Sequence, residues 1–313
     1  MILALLGLVA CTPPGTARRV AARSQQVGAP LYGFWGLNGF VHPKGLAQVR
    51  DRLGMSVFHT ATMDPAWATG ELLPMVQAAG LQVTLRLSGD HHHYTTPGGD
   101  FSLDAWKRTL ARWADAPLAP FIADGTLAGH MLLDDIENFD GQDPTAAELD
   151  EMARYSKALM PGLMTFVRQK ASAMPPPAGG TYVYVDAVVN QYKAAEGDVR
   201  AYARGESQAA QTLDVGIING LNIANGGDGS SKQAGWQDGR WAMSADEIQS
   251  YGRVLSAVPG CGMFLNWEYD GHERWSDGSV GSDYFDQPAL SAALTGLGER
   301  LQHHRPVPLL KDD

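Results

Sequence analysis

The chain has 313 residues, with 24 Lys and Arg against 34 Asp and Glu for a formal charge of −10, and only two cysteines. That length buries a full hydrophobic core without disulfide staples, and the acidic balance leaves no surplus of cations to neutralise phosphates, so nucleic acid is excluded as an expected partner. Aromatic residues at 9% and charged residues at 19% belong to a folded globule and not to a disordered chain.

Residues Met1 to Ala10 (MILALLGLVA) are almost wholly apolar and stop at Cys11. Ten helical residues rise only about 15 Å, half of a bilayer core, so the run does not span a membrane. Leu8-Val9-Ala10-Cys11 resembles the lipobox of bacterial lipoproteins. The resemblance implies a signal over residues 1–11 and lipidation at Cys11. It also implies a flexible tether over 12–30 with a reach of roughly 25 Å, and a place in the bacterial cell envelope with membrane contact through the lipid anchor alone. Cys261 then remains as a lone thiol, and disulfides contribute nothing to the fold.

From Leu31 onward short apolar runs alternate with amphipathic stretches. The expected strands are 32–38, 56–62, 82–88, 129–136, 163–168, 183–191, 215–222 and 262–268. Between them, Thr145-Ala-Ala-Glu148 and Ser244-Ala-Asp-Glu247 fit capping boxes,. A last helix is expected from about Asp286, with Pro288 in its first turn and Leu290, Leu294, Leu297 and Leu301 at helical spacing,. Near-continuous apolar strands joined by helices imply a parallel sheet with both faces covered. Eight such units predict a single-domain (β/α)8 TIM barrel over 31–305, followed by a tail over 306–313. The alternative, a doubly wound open sheet, wants a Gly-rich phosphate turn after the first strand. Gly33-Phe-Trp-Gly36-Leu-Asn-Gly39 has the wrong spacing for one,.

In a barrel the chemistry belongs where strands end and their following loops begin. Those positions hold Trp35 and Asn38, His59, Arg86 with Asp90, Asp135 and Glu137, Arg168, Asn190 with Gln191 and Tyr192, Asn222, and Trp267 with Glu268. Strand four is the most informative, because His130-Met-Leu-Leu-Asp134-Asp135-Ile-Glu137 ends in three carboxylates. Side chains two apart on a strand share a face at roughly 7 Å, so Asp135 and Glu137 are expected to point together into the barrel mouth. Like charges that close split their pKa values and keep one carboxyl protonated, which is what cleavage of a glycosidic bond requires. The structural reading of the same residues is a carboxylate network balanced by Arg86 or Arg168, which could equally clamp an acidic sugar.

Asp135-Ile136-Glu137 is similar to the tail of the DxxDxDxE signature of family 18 chitinase and endo-N-acetylglucosaminidase barrels. Residues 185–192 (VDAVVNQY) resemble that family's tyrosine-bearing sixth strand, and Gly262-Met-Phe-Leu-Asn-Trp267 its Trp-bearing final strand. The resemblance implies that Glu137 is the general acid, that Asp135 orients the substrate's N-acetyl group, that Tyr192 assists, and that Trp267 floors the sugar subsite. His130 and Leu133 stand where the signature has its two earlier aspartates, and Lys193 follows Tyr192 in place of Asp. Barrel glycosidases with a Glu/Glu pair instead carry an Asn-Glu at strand four and a Glu at strand seven. Here strand seven ends Asn219-Gly-Leu-Asn222, and the nearest carboxylate is Glu268, a candidate nucleophile or base one strand later.

Six of eight tryptophans (Trp35, Trp67, Trp236, Trp241, Trp267 and Trp275) fall at strand ends or in the loops beyond them. Flat indole faces suit pyranose C–H faces, while polar groups bind the hydroxyls. Carbohydrate is therefore the expected partner, contacted by Trp35, Asn38, His59, Arg86, Arg168, Gln191, Asn222 and Trp267. Trp106 and Trp113, seven apart, read as one core-facing helical stripe. Strand one has no histidine, and His91-His92-His93 read as a solvated loop, so no metal and no cofactor is expected. The Gly- and Ser-rich loop 223–243 reads as a mobile cover. The leading expectation is a glycoside hydrolase of oligo- or polysaccharide that uses a strand-four carboxylate as general acid. A non-catalytic glycan-binding barrel and a metal-dependent hydrolase or lyase on the same fold are the alternatives.

Overall fold

The computed structural model describes residues 29–37, 40–259, 261–269 and 276–303. Cys11, the expected tether, Asn38, Trp275 and the 306–313 tail lie outside the described residues. Eight parallel strands form a closed barrel in chain order: β1 (Leu31–Trp35), β2 (Val57–Ala61), β3 (Gln82–Arg86), β4 (Leu127–Asp134), β5 (Met164–Arg168), β6 (Ala187–Tyr192), β7 (Gly216–Leu221) and β8 (Cys261–Asn266). β1 pairs with β2 on one side and β8 on the other, which closes the ring.

The strands read as apolar runs because both of their faces are covered. Leu31, Val57, Met131, Met164, Phe166, Val189, Ile218, Met263 and Leu265 pack together inside the barrel, while a separate and larger cluster fills the layer between sheet and helices. Gly220 of β7 allows β8 to approach closely, since a Cβ there would overlap the Leu265 carbonyl oxygen. Helices Ala146–Leu159 and Ala245–Ser256 begin at complete capping boxes on Thr145 and Ser244, and helix Pro288–Gln302 has proline in its first turn. Among the described residues no helix is long and apolar enough to cross a membrane.

Two local departures from the expected pattern matter. β6 starts at Ala187 and not at 183, because the amides of Val183, Tyr184 and Val185 donate to the Asp150 carboxylate instead of to a neighbouring strand. The connection from β5 to β6 holds only a 3-10 turn, Ala171–Ala173, in place of an α-helix. The second departure lies in β4. Met131 pairs with Phe166 and Leu133 with Val167, so Leu132 is an extra residue and the strand is bulged there,. The displaced Leu132 carbonyl accepts the indole N–H of the fully buried Trp106 at 3.0 Å, a bond supplied by helix Leu103–Leu110.

Beside the bulge, buried His130 shares a 2.8 Å hydrogen bond with Ser156 and stacks on Trp106 with ring centres 6.1 Å apart. Burial pushes its pKa down to about 3. The unfolded chain protonates this imidazole near 6.5 while the fold refuses the proton, so stability is complete above that pH and is lost as the pH falls toward 3. Urea unfolding at pH 7.5 and 5.0 should show a loss reduced by about 2 kcal/mol in His130→Asn, at about 1.4 kcal/mol per pH unit below 6.5. Trp106→Phe, which leaves the Leu132 carbonyl with only the longer 3.5 Å bond from the Ser88 hydroxyl, should lower the unfolding free energy by about 1–3 kcal/mol in the same assay.

Candidate active site

The bulge changes which carboxylate enters the barrel. Beyond Leu132 the strand is shifted by one residue, so Asp134 stands beside Arg168 and faces inward. Arg86, at the end of β3, donates to Asp134 Oδ2 at 3.1 Å, and Arg168, at the end of β5, donates from Nε to Asp134 Oδ1. Arg168 also reaches Asp135 Oδ2 from Nη2 at 2.5 Å and Gln191 Oε1 from Nη1 at 3.3 Å. One guanidinium thus ties together the ends of β4, β5 and β6. Arg86 makes a further ion pair with Asp90.

Asp135 follows the last residue of β4 with φ at 51°, a left-handed conformation that Asp tolerates better than most residues,. Its carbonyl lies 3.3 Å from His91 Nε2. Burial raises the Asp135 carboxyl above its ordinary range; Arg168 pulls it down, and the neighbouring charge of Asp134 adds to the rise. The carboxyl is thus half-buried, shifted upward by burial, and held beside a permanent cation,.

The floor of the mouth is aromatic. Trp35 is buried, packs on the His59 ring with centres 4.0 Å apart, and has the Arg168 guanidinium 5.9 Å from its own centre. That separation lies within cation–π range. His59 is buried beneath it and bonds Thr84 at 2.9 Å; burial, Arg86 and Arg168 together lower its pKa well below 6.5, so it stays neutral. Trp267, half-buried, closes the β8 side with its edge against Trp236. Glu268 sits where β8 passes over the end of β1: a Cβ at Gly36 (φ 68°) would lie 2.5 Å from Glu268 Oε2. A glycine is required at position 36 both for that backbone angle and to make room for the carboxylate.

The expected shared face of Asp135 and Glu137 is corrected. Glu137 is exposed on the loop beyond β4 and accepts a 3.0 Å bond from Gln169, whereas Asp134 takes the inward position because of the bulge. Tyr192 is corrected as well: it points away from the mouth, its hydroxyl donates to the Gly197 carbonyl at 2.5 Å, and its ring packs against Tyr202 and Tyr251. Gln191, one residue earlier, is the β6 side chain that faces inward. Asn222 serves a turn, its Oδ1 accepting the Asn225 amide at 3.0 Å.

Loop 223–243 is tied down and not an open flap. Asp228 and Ser230 bond Glu247 of the following helix, and the loop folds on itself through an Ala234–Trp241 bridge. Sequence reasoning passed over Asp134. The signal that would have found it is the pair of arginines ending the two strands beside β4, since two inward cations require an inward carboxylate between them. Among the described residues no group of three His, Cys, Asp or Glu side chains gathers to hold a metal ion.

A closed eight-stranded barrel with its charged and aromatic side chains gathered at the carboxyl ends of the strands defines the (β/α)8 class. No family model and no curated protein sequence matches the chain. Solved structures do match in fold. A GH113 β-1,4-mannanase aligns with a TM-score of 0.54 at 10% identity, covering 86% of this chain and 98% of that one. A hyperthermophilic endocellulase from the archaeon Pyrococcus horikoshii aligns at 0.53 and 11%, covering 88% and 92%. The cellulose synthase subunit Z of Clostridioides difficile aligns at 0.53 and 11%, covering 85% and 99%. At such identities the likeness is one of fold.

Removing the guanidinium at Arg168 takes away the ion pair of Asp135 and leaves Asp134 with Arg86 as its one cation among the described residues. Arg168→Ala should destabilise the protein by about 1–2 kcal/mol in urea denaturation, less than for a fully buried pair because Asp135 is partly open to solvent,. Arg168→Lys should recover only a minor part, since a single ammonium cannot serve three partners in a fixed fork.

Proposed function

We propose that the chain is a glycoside hydrolase whose barrel mouth protonates a glycosidic oxygen through Asp135. The observation that carries this reading is a half-buried carboxyl, raised in pKa by burial, at the mouth of a barrel floored by Trp35 and Trp267. The names borne by structures of the same fold, mannanase and endocellulase, support the same reaction class. Hydrolysis needs a second carboxylate to stabilise the oxocarbenium-like centre or to activate water. We assign that role to Glu268. β8 lies four strands from β4 in an eight-stranded ring, so the two carboxyls approach a bound sugar from opposite sides.

In the proposed reaction Asp135 gives its proton to the leaving oxygen and becomes a carboxylate that Arg168 already neutralises. Arg168 thereby favours the product state of the transfer, while burial, the larger influence on the resting carboxyl, raises its pKa. Glu137, at the exposed rim, is in reach of solvent and of the outer part of a chain.

Release of reducing ends from glucomannan, hydroxyethylcellulose, polygalacturonate and glycol chitin should identify the substrate. On it, Asp135→Asn should lower kcat by about 10²- to 10⁴-fold with unchanged circular dichroism. Full activity in that variant would overturn the assignment. Thermal stabilisation by a glycan with no product from the wild type would favour a barrel that binds glycan without cleaving it.

A further inference from the structure

The loop after β7 carries two tryptophans on a small hairpin. Ala234 bridges Trp241, the Gly235 amide donates to the Arg240 carbonyl at 2.8 Å, and the Arg240 amide donates to the Gln237 carbonyl at 3.1 Å. Trp236, within the hairpin, meets Trp267 edge to face with ring centres 5.6 Å apart and planes at 84°. The hairpin therefore leans on the mouth. Trp241, at its base, is 43% exposed, and only one other large hydrophobic side chain among the described residues, Val183, is open to solvent.

That exposure is built and not incidental. The backbone at Trp241 is pinned: its carbonyl accepts the Gly227 amide at 2.9 Å, and the next residue, Ala242, donates its amide to the Gln233 carbonyl at 3.1 Å and accepts the Ser231 hydroxyl at 2.6 Å. Glu247 fixes the first half of the loop through the Asp228 amide at 2.8 Å. Gly229, with φ at 94°, lies close against the indole, and a Cβ there would come within 3.3 Å of its nitrogen. Main chain at Gly229 thus lies against the five-membered ring of the indole, while the residue as a whole remains exposed. An indole left open on a rigid strut exposes apolar surface that folding alone would hide.

We propose that Trp241 is a stacking platform for a pyranose ring of an extended glycan chain, lying beyond Trp236 and Trp267 on a track that leads out of the mouth. The proposal rests on reading the mouth as a glycan site. A sugar fits the chemistry: its C–H face takes the indole, and the exposed side chains of Gln237, Asp238 and Arg240 offer donors and acceptors for ring hydroxyls,. A protein partner fits poorly, because one indole amid polar neighbours falls far short of the roughly 1,000 Å² that a specific interface needs. The track makes the enzyme a reader of chains and not of isolated terminal sugars.

Affinity electrophoresis of the full chain tests this, in native gels holding glucomannan, hydroxyethylcellulose, polygalacturonate or glycol chitin, with a polysaccharide-free gel as folding control. The wild type should be retarded in at least one gel. Trp241→Ala should bind that polymer about tenfold more weakly, and Trp241→Phe should keep most of the retardation. Retardation unchanged in Trp241→Ala, or absent for the wild type in all four gels, overturns the platform. The gel reads binding alone, so a wild type that is retarded through Trp241 yet releases no reducing ends removes the hydrolase reading and leaves the platform standing.

Discussion

The site depends on one misplaced residue in a strand. Leu132 is inserted into β4 against β5, and its carbonyl survives inside the protein because the Trp106 indole bonds it. Without that insertion the alternation of the strand would turn Asp135 and Glu137 inward and Asp134 outward. With it, Asp134 meets Arg86 and Arg168 between the two flanking strands. The carbonyl freed by the insertion that sets which acid stands within the barrel is thus met from outside by a helix, at Trp106, with the Ser88 hydroxyl as a second, longer donor. Bulges are a known way to re-aim a side chain next to an active site.

The arginines make a dense charge cluster tolerable. Two adjacent carboxylates at a half-buried strand end would repel each other and lose water. Arg168 answers both and also anchors Gln191, so the ends of three strands share one planar fork. Asp134 is fully engaged by two guanidiniums and acts as a counterion. Asp135 has one cation and more burial than that cation offsets, so its carboxyl is shifted upward. The division of labour between two neighbouring aspartates follows from how many donors each receives.

The barrel was legible in the sequence because apolar runs at regular spacing and two complete capping boxes are local signals. The eight strands fall where those runs are, and Thr145 and Ser244 cap as their side chains dictate. Facing was less legible. Period-2 reasoning assumes an unbroken ladder, and the insertion at Leu132 is written in a helix twenty-six residues away in sequence, at Trp106, not in the strand. Tyr192 failed for a simpler reason: Gln191 and not Tyr192 lies on the inward parity of β6, and three tyrosine rings pack together outside the sheet. The motif similarity to family 18 barrels rested on residue types and carried no orientation, so it did not anticipate Glu137 on the exposed loop or Tyr192 packed away from the mouth.

The missing helix between β5 and β6 has a consequence for how the barrel is held together. Those two strands pair only through Phe166 with Ala187 and Val167 with Val188, whereas β6 and β7 pair along the whole length of β6. The stretch that enters β6 hangs from the Asp150 carboxylate in place of a helix of its own. The β5–β6 ladder is the shortest in the ring, and Asp186 reinforces it: its amide donates to the Thr165 carbonyl at 3.1 Å and its carboxylate accepts the Thr165 amide at 2.7 Å. Arg168 and Gln191 lie on opposite sides of it. The guanidinium fork is therefore also a rivet across the shortest ladder of the ring.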